Sequence, residues 1–280
     1  METRSWLGDS MSGFSGTAEA ETYDEQVSAL SAASKLNPMC ALNYGEDSRQ
    51  RIEFYRPVDA PKEERLPVLI FMHGGAWIAG GLGWLRFMAE AVTSQRAVLA
   101  AVSYRLAPDH KWPSQLEDAV AAIRLVQSQA DRFSGDPDRI VVGGHSAGGQ
   151  MAAMAVLTGN IGPVRGCMPV SSPMDLRYGR GATDTGKGRV YRYLLADPVH
   201  DTDASPICHV DGNKTPFHLT WGERDIEHIG NSCERMVTAM SDAGQPVRYH
   251  VMPAANHFDT HLKLSNAQGA WYRTFRSLIA

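Results

Sequence analysis

The sequence predicts a three-layer α/β domain, a mostly parallel central sheet with helices on both faces. Two observations predict it. Apolar runs such as "LPVLIFMH" (66–73) and "AVLAAVSYRL" (97–106) are continuous rather than alternating, as in strands buried on both sides. Helix-spaced segments separate these runs, and a parallel pair needs such a crossover.

Element by element, residues 1 to 20 are Gly/Ser-rich and loose at the very start. From Glu21, "ETYDEQVSALSAASKLNP" has helical spacing and ends at a proline. "RIEFYRP" (51–57) reads as a strand and 66–73 as a buried one, followed by a helix in "LRFMAEAVTSQ" (85–95). The strand at 97–106 leads to the helix "SQLEDAVAAIRLVQSQA" (114–130), then to the strand "DRIVVGGH" (138–145) and a helix from Ser146. "RGCMPVSS" (165–172) and "TPFHLTWG" (215–222) are further strands. The helix "IGNSCERMVTAMSDAG" (229–244), the strand "VRYHVMP" (247–253) and a closing helix over 261–279 complete the alternation. The polar, turn-rich stretch 177–214 interrupts it, and a connection of that length reads as a lid-like insertion. Residues 1–45 are expected to form part of a cap with it, over the strand ends of a catalytic domain spanning 46–280.

At 280 residues, 43% hydrophobic and 21% charged, the chain can bury a full core. Its 27 Lys and Arg against 31 Asp and Glu leave a net charge of −4, which argues against nucleic acid or an anionic membrane as the main partner. The start lacks the apolar core of a secretion signal and no apolar run reaches membrane-span length, so a cytoplasmic location is expected. Four scattered cysteines (Cys40, Cys167, Cys208, Cys233) have no metal-ligand spacing and read as free, largely buried thiols. Homodimerisation is left open.

The chemistry begins in "VVGGHSAGGQMAAM" (141–154), where Ser146 stands between glycines at a strand-to-helix turn. That context is the one in which a serine becomes a nucleophile, its hydroxyl lifted above the sheet edge and facing the N–H groups of a helix start. The base should follow an acid far down the chain. His257, in "PAANHFDTHL", lies between the last predicted strand and the last helix; His261 is the runner-up. For the acid, Asp225 follows a glycine turn in "HLTWGERDIEH", with Glu223 and Glu227 as alternatives, while Asp259 is read as a brace for the His257 loop.

An oxyanion site is expected in "FMHGGAWIAGG" (71–81), from the N–H groups of Gly75 and Ala76 together with that of Ala147, Gly74 being a near alternative. Each such donor is typically worth about 3 kcal/mol in the transition state. His73 is expected to anchor this loop. Trp77 is core or pocket wall, and Trp77, His145 and Phe258 are the candidate pocket residues. Arg177, Arg180, Lys187, Arg189 and Arg192 of the insertion read as a solvated face, with an anion-recognition role as the alternative.

With these residues in place the chain resembles an α/β-hydrolase serine esterase. "YRLAPDHKWPSQLEDA" (104–119) resembles a signature of hormone-sensitive-lipase-type carboxylesterases, where the segment is architectural; Asp109, His110, Glu117 and Asp118 are therefore given no catalytic role. His-Gly-Gly-Ala-Trp (73–77), "GHSAGGQMAAM" (144–154), "VSSPMDLRY" (170–178), "ASPI" (204–207), "WGERD" (221–225) and "NHFDT" (256–260) resemble the kynurenine formamidase (arylformamidase) branch. Ala76 stands where the lipase-type family has a third glycine, as in the formamidase pattern. The resemblance covers roughly residues 50 to 280 and implies a Ser146–His257–Asp225 triad that cleaves a small ester or aryl formamide through an acyl-enzyme, with no metal or organic cofactor. A non-catalytic small-molecule receptor of the same fold is the competing class.

Overall fold

The structure is a computed structural model that describes residues 18–178 and 186–280. Among these, eight strands form one sheet in the order β1-β2-β4-β3-β5-β6-β7-β8. They are β1 (Cys40–Asn43), β2 (Arg51–Tyr55), β3 (Leu66–Met72), β4 (Val98–Val102), β5 (Gly135–His145), β6 (Gly166–Val170), β7 (Phe217–Arg224) and β8 (Val247–Asn256). β1 with β2 and β2 with β4 are antiparallel, and every other pair is parallel.

Strand β3 shows why the apolar runs do not alternate. All seven of its residues are buried. Val68, Ile70 and Met72 belong to one apolar cluster, with residues of helices α3 (Ser114–Ser128), α4 (Ala147–Thr158) and α6 (Glu227–Asp242). Leu69 and Phe71 belong to the other, with residues of α1 (Ala18–Ala33), α2 (Met88–Thr93) and α8 (Ala270–Ile279). Successive side chains point to opposite faces, so covering both faces demands an apolar residue at each position.

Several boundaries differ from the sequence expectation. β1 is a four-residue, half-buried edge strand and carries no apolar run to reveal it. The first helix stops at Ala33, short of the proline. The helix expected over 85–95 shortens to α2, after a single 3₁₀ turn at Leu82–Trp84. The closing helix is two: α7 (His257–Leu262) and α8, separated by a 3₁₀ turn and the loop to Gly269. Within 177–214 the described part contains α5 (Gly186–Leu194) and 3₁₀ turns at Pro198–His200 and Pro206–His209. All four thiols are free, yet only Cys167 and Cys233 are buried; Cys208 is exposed. No helix among the described residues is long and apolar enough to cross a membrane.

Candidate active site

Ser146 sits between β5 and α4 with φ 52° and ψ −119°, a region that L-residues avoid. The strain, of order 1–3 kcal/mol, falls on the serine itself and not on the flanking glycines. Those glycines permit close approach: a Cβ on Gly144 would lie 2.4 Å from the Gly148 carbonyl carbon, and one on Gly148 would lie 2.3 Å from Met72 O. Strand and helix therefore cross tightly enough to hold the turn. The Ser146 N–H donates to Val170 O at 2.8 Å, and Gly149 and Gln150 donate to Ser146 O.

His257 opens α7. Its Nε2 lies 3.0 Å from Ser146 Oγ, and its Nδ1 lies 2.8 Å from Asp225 Oδ1. A carboxylate only accepts, so the proton of the neutral ring is on Nδ1, leaving Nε2 free to accept from the serine. The helix start is fixed by a capping box in which Asn256 accepts from Phe258 and Asp259 N–H, while Asp259 accepts from Asn256 N–H at 3.0 Å. Asp259 thus stands as the expected brace.

Asp225 follows β7 and is fully supplied with donors. Oδ1 also accepts from Ile226 N–H at 2.8 Å, and Oδ2 accepts from Ser171 Oγ at 2.5 Å and Gly222 N–H at 3.1 Å. Burial pushes its carboxyl up, but hydrogen bonds from His257, Ser171 and the Gly222 N–H outweigh that and hold it below the usual carboxylate range. The two alternative acids lie elsewhere: Glu223 accepts from Ala254 N–H, and Glu227 begins α6 exposed. The alternative base, His261, is fully buried, with its Nδ1 2.8 Å from Tyr23 Oη and its ring stacked on that of His145 at 4.7 Å.

Opposite the serine, the loop after β3 runs through three successive positive φ angles: Gly75 (108°), Ala76 (52°) and Trp77 (62°). Ile78 and Ala79 N–H both close on Gly75 O. His73 Nδ1 donates to Gly74 O at 2.7 Å, and Tyr104 stacks on the imidazole at 4.2 Å while its hydroxyl donates to His73 O. Among the described residues the N–H groups of Gly75 and Ala76 have no acceptor, and Ala147, first in α4, has no intrahelical one. Gly74 packs against the elbow, where a Cβ would lie 2.7 Å from His145 Nδ1 and 3.3 Å from Ser146 Cβ, and its N–H likewise has no acceptor among the described residues.

A cavity of about 290 Å³ opens over these groups, lined by Gly75, Ala76, Ser146 and His257 and walled chiefly by apolar side chains. Trp77 is both of its alternatives at once: it is buried, lines the cavity, and donates through Nε1 to Gln150 Oε1 at 3.0 Å. Phe258 is in the wall, stacked on Tyr23 of α1 at 4.8 Å. His145 also touches the cavity, but its Nε2–H donates to the His257 carbonyl at 3.0 Å, so it props the base from behind. Burial, then the neighbouring imidazoles of His261 and His257, holds its ring well below the ordinary histidine range.

This topology and site lead to a comparison with known proteins. The model of a family described by its alpha/beta hydrolase fold matches residues 69–260, more than half of the chain. The chain belongs to the α/β-hydrolase family. Among its relatives is Esterase LipC of Mycobacterium tuberculosis, 32% identical over 238 residues that cover 76% of this α/β-hydrolase and 58% of LipC. Carboxylesterase NlhH of the same species is 43% identical over 101 residues, 35% of this chain and 32% of NlhH. The chain thus spans little more than half the length of LipC and a third of NlhH. The solved structure of a hyperthermophilic esterase from the archaeon Pyrobaculum calidifontis superposes with a TM-score of 0.76, covering 93% of each chain at 22% identity, a likeness of fold. These relatives are named as esterases; they support the esterase resemblance and leave the arylformamidase branch without support.

The α/β-hydrolase also holds site residues that the sequence reading missed. Ser171 and Thr260 back the acid and base, and Tyr23 closes the cavity from α1. The only local signal was a polar Ser171-Ser172 pair ending an apolar strand. Conversely, Arg177 does not face the cavity. It makes a two-pronged ion pair with Asp175 (2.8 and 2.9 Å), which Arg235 also contacts at 3.0 Å. Arg192 is exposed; Arg180 and the side chains of Lys187 and Arg189 lie outside the described residues. In the "YRLAPDH" segment, buried Asp118 binds Arg105 through its N–H and guanidinium and accepts from Gln50 at 2.7 Å, tying α3 to the end of β4.

Proposed function

We propose that this protein is a serine hydrolase of small carboxylic esters. One observation carries the reading: Ser146, His257 and Asp225 form a hydrogen-bonded line of 3.0 and 2.8 Å whose serine end opens into an apolar cavity. The esterase relatives support the same reaction class. In the mechanism, His257 Nε2 takes the Ser146 proton as Oγ attacks the ester carbonyl. Asp225 accepts from Nδ1–H and stabilises the imidazolium. The oxyanion rests on the N–H groups of Gly75, Ala76 and Ala147. His257 then protonates the leaving alcohol, and water repeats the sequence on the acyl-enzyme.

A fluorophosphonate probe should label Ser146, and Ser146→Ala should lower hydrolysis of p-nitrophenyl acetate by at least about 10³-fold while leaving the melting temperature close to that of the wild type. Full turnover in the folded variant sinks the reading, and a folded wild-type protein that takes no label returns it to the receptor class. Aryl formamides are a second acyl class, favoured by Ala76 and the motifs around the triad. Parallel rates on p-nitrophenyl esters and N-formylkynurenine separate the two.

A further inference from the structure

Among the described residues, the Asp, Glu, Lys and Arg side chains that line the cavity over Ser146 are of one sign, negative. Glu21 and Asp24 are three residues apart on α1, hence on one face of the helix, and both line the cavity. No Lys or Arg is among the described lining residues. Neither carboxylate is ion-paired among the described residues. Asp24 is held in place, its Oδ1 accepting from Trp84 Nε1 at 2.8 Å.

Aromatic rings surround this end. Tyr23 meets Trp84 edge-on at 5.2 Å and stacks on Phe258 at 4.8 Å, and all three line the cavity. Glu21 is exposed and Asp24 half-buried, so at low salt a cation entering this end would be attracted by both carboxylates and would meet the aromatic wall. An anion at this end would be repelled by the same carboxylates.

We propose that the site selects substrates bearing a positive charge, of the alkylammonium class, with the ammonium group at the α1 end between Glu21, Asp24 and the rings of Tyr23, Trp84 and Phe258. The proposal rests on the ester-hydrolase reading and deepens it. It replaces the anion-recognition alternative for the insertion with the opposite sign of preference.

Phenyltrimethylammonium and tert-butylbenzene differ essentially in a charged nitrogen against a neutral carbon. Their inhibition of p-nitrophenyl acetate hydrolysis at pH 8 and low salt reads the preference directly. The cation should bind at least roughly fivefold more tightly, and the ratio should shrink with added salt. In the double variant Glu21→Gln/Asp24→Asn the ratio should approach that of the uncharged contacts, whatever the absolute rates; asparagine keeps an acceptor for Trp84. Equal or weaker binding of the cation, or a preference undiminished in the double variant, overturns the proposal. Loss of hydrolysis in Ser146→Ala tests the underlying reading by itself. Titration of tryptophan fluorescence reads the cation preference whether or not turnover occurs, so the two can fail separately.

Discussion

Ser171 directly follows β6 with φ 47°, a second strained serine beside the first. Its hydroxyl donates to Asp225 Oδ2 at 2.5 Å, which commits its only proton. The Thr260 proton is therefore the one available at the 2.7 Å contact between Ser171 and Thr260, and it is shared with His257 O, also at 2.7 Å. A closed loop of hydrogen bonds thus joins Asp225, Ser171, Thr260 and both the ring and the backbone of His257. Asp225 titrates below the usual range in the folded protein, so its contribution to stability is present above its unfolded pKa and is lost as pH falls through the folded one. Ser171→Ala removes one of the donors that lower it. The variant should lose about 1–2 kcal/mol at pH 7, and its gap from the wild type should narrow below about pH 4. Urea denaturation across that range checks both; a gap that stays constant to acid pH contradicts the loop's role. The order serine, acid, histidine was legible because each residue stands at a strand end marked by turn residues. Ser171 was not, since neither a positive φ nor proximity to residues 225 and 260 is written in a local pattern.

Helix α1 is the element with the weakest claim on the core and a large claim on the cavity. Only Tyr23 and Val27 of its sixteen residues are buried. Tyr23 packs against Trp84 and Phe258 and reaches His261 with its hydroxyl. Peripheral ties come from Phe87 N–H to Ser31 Oγ and from Lys35 N–H, just beyond the helix, to Glu90 Oε1. Tyr23→Ala should therefore cost about 3 kcal/mol and loosen α1 in particular. Limited proteolysis should cut near residues 18–33 faster, and KM for aryl esters should rise several-fold while kcat changes less. Tyr23→Phe keeps the packing and should leave KM near the wild-type value. If Tyr23→Ala matches the wild type in both proteolysis and KM, α1 is not part of the binding wall. Elements were legible where burial on both faces forced continuous apolar runs, as in β3 and β4. β1 failed that test because an edge strand needs no such run. The split before α8 was hidden because Leu264 and Trp271 preserve an apolar rhythm across a non-helical loop.

Across the whole molecule the most consequential electrostatic feature is a set of imidazoles kept neutral in the interior. His73, His145 and His261 are buried within the machinery around the site, and His218 is buried on β7. Burial pushes His73 down to about 4, His261 to about 3 and His218 to about 4, and holds His145 well below the ordinary value. A histidine depressed in the folded state contributes its full stability above the unfolded pKa near 6.5 and loses it as pH falls toward the folded value. At pH 5 each fully buried imidazole would forfeit up to about 2 kcal/mol, and three or four together rival the whole stability of an ordinary domain. The protein should accordingly begin to unfold near pH 5, above the range in which carboxylates titrate, with a melting temperature lower by about 10 °C at pH 5.5 than at pH 7.5. His261→Phe removes one of these groups: it should be less stable at pH 7.5, where Tyr23 loses its partner, yet show a shallower fall with acid by up to one proton. Melting curves from pH 7.5 to 5 decide the matter, and a flat profile would refute it.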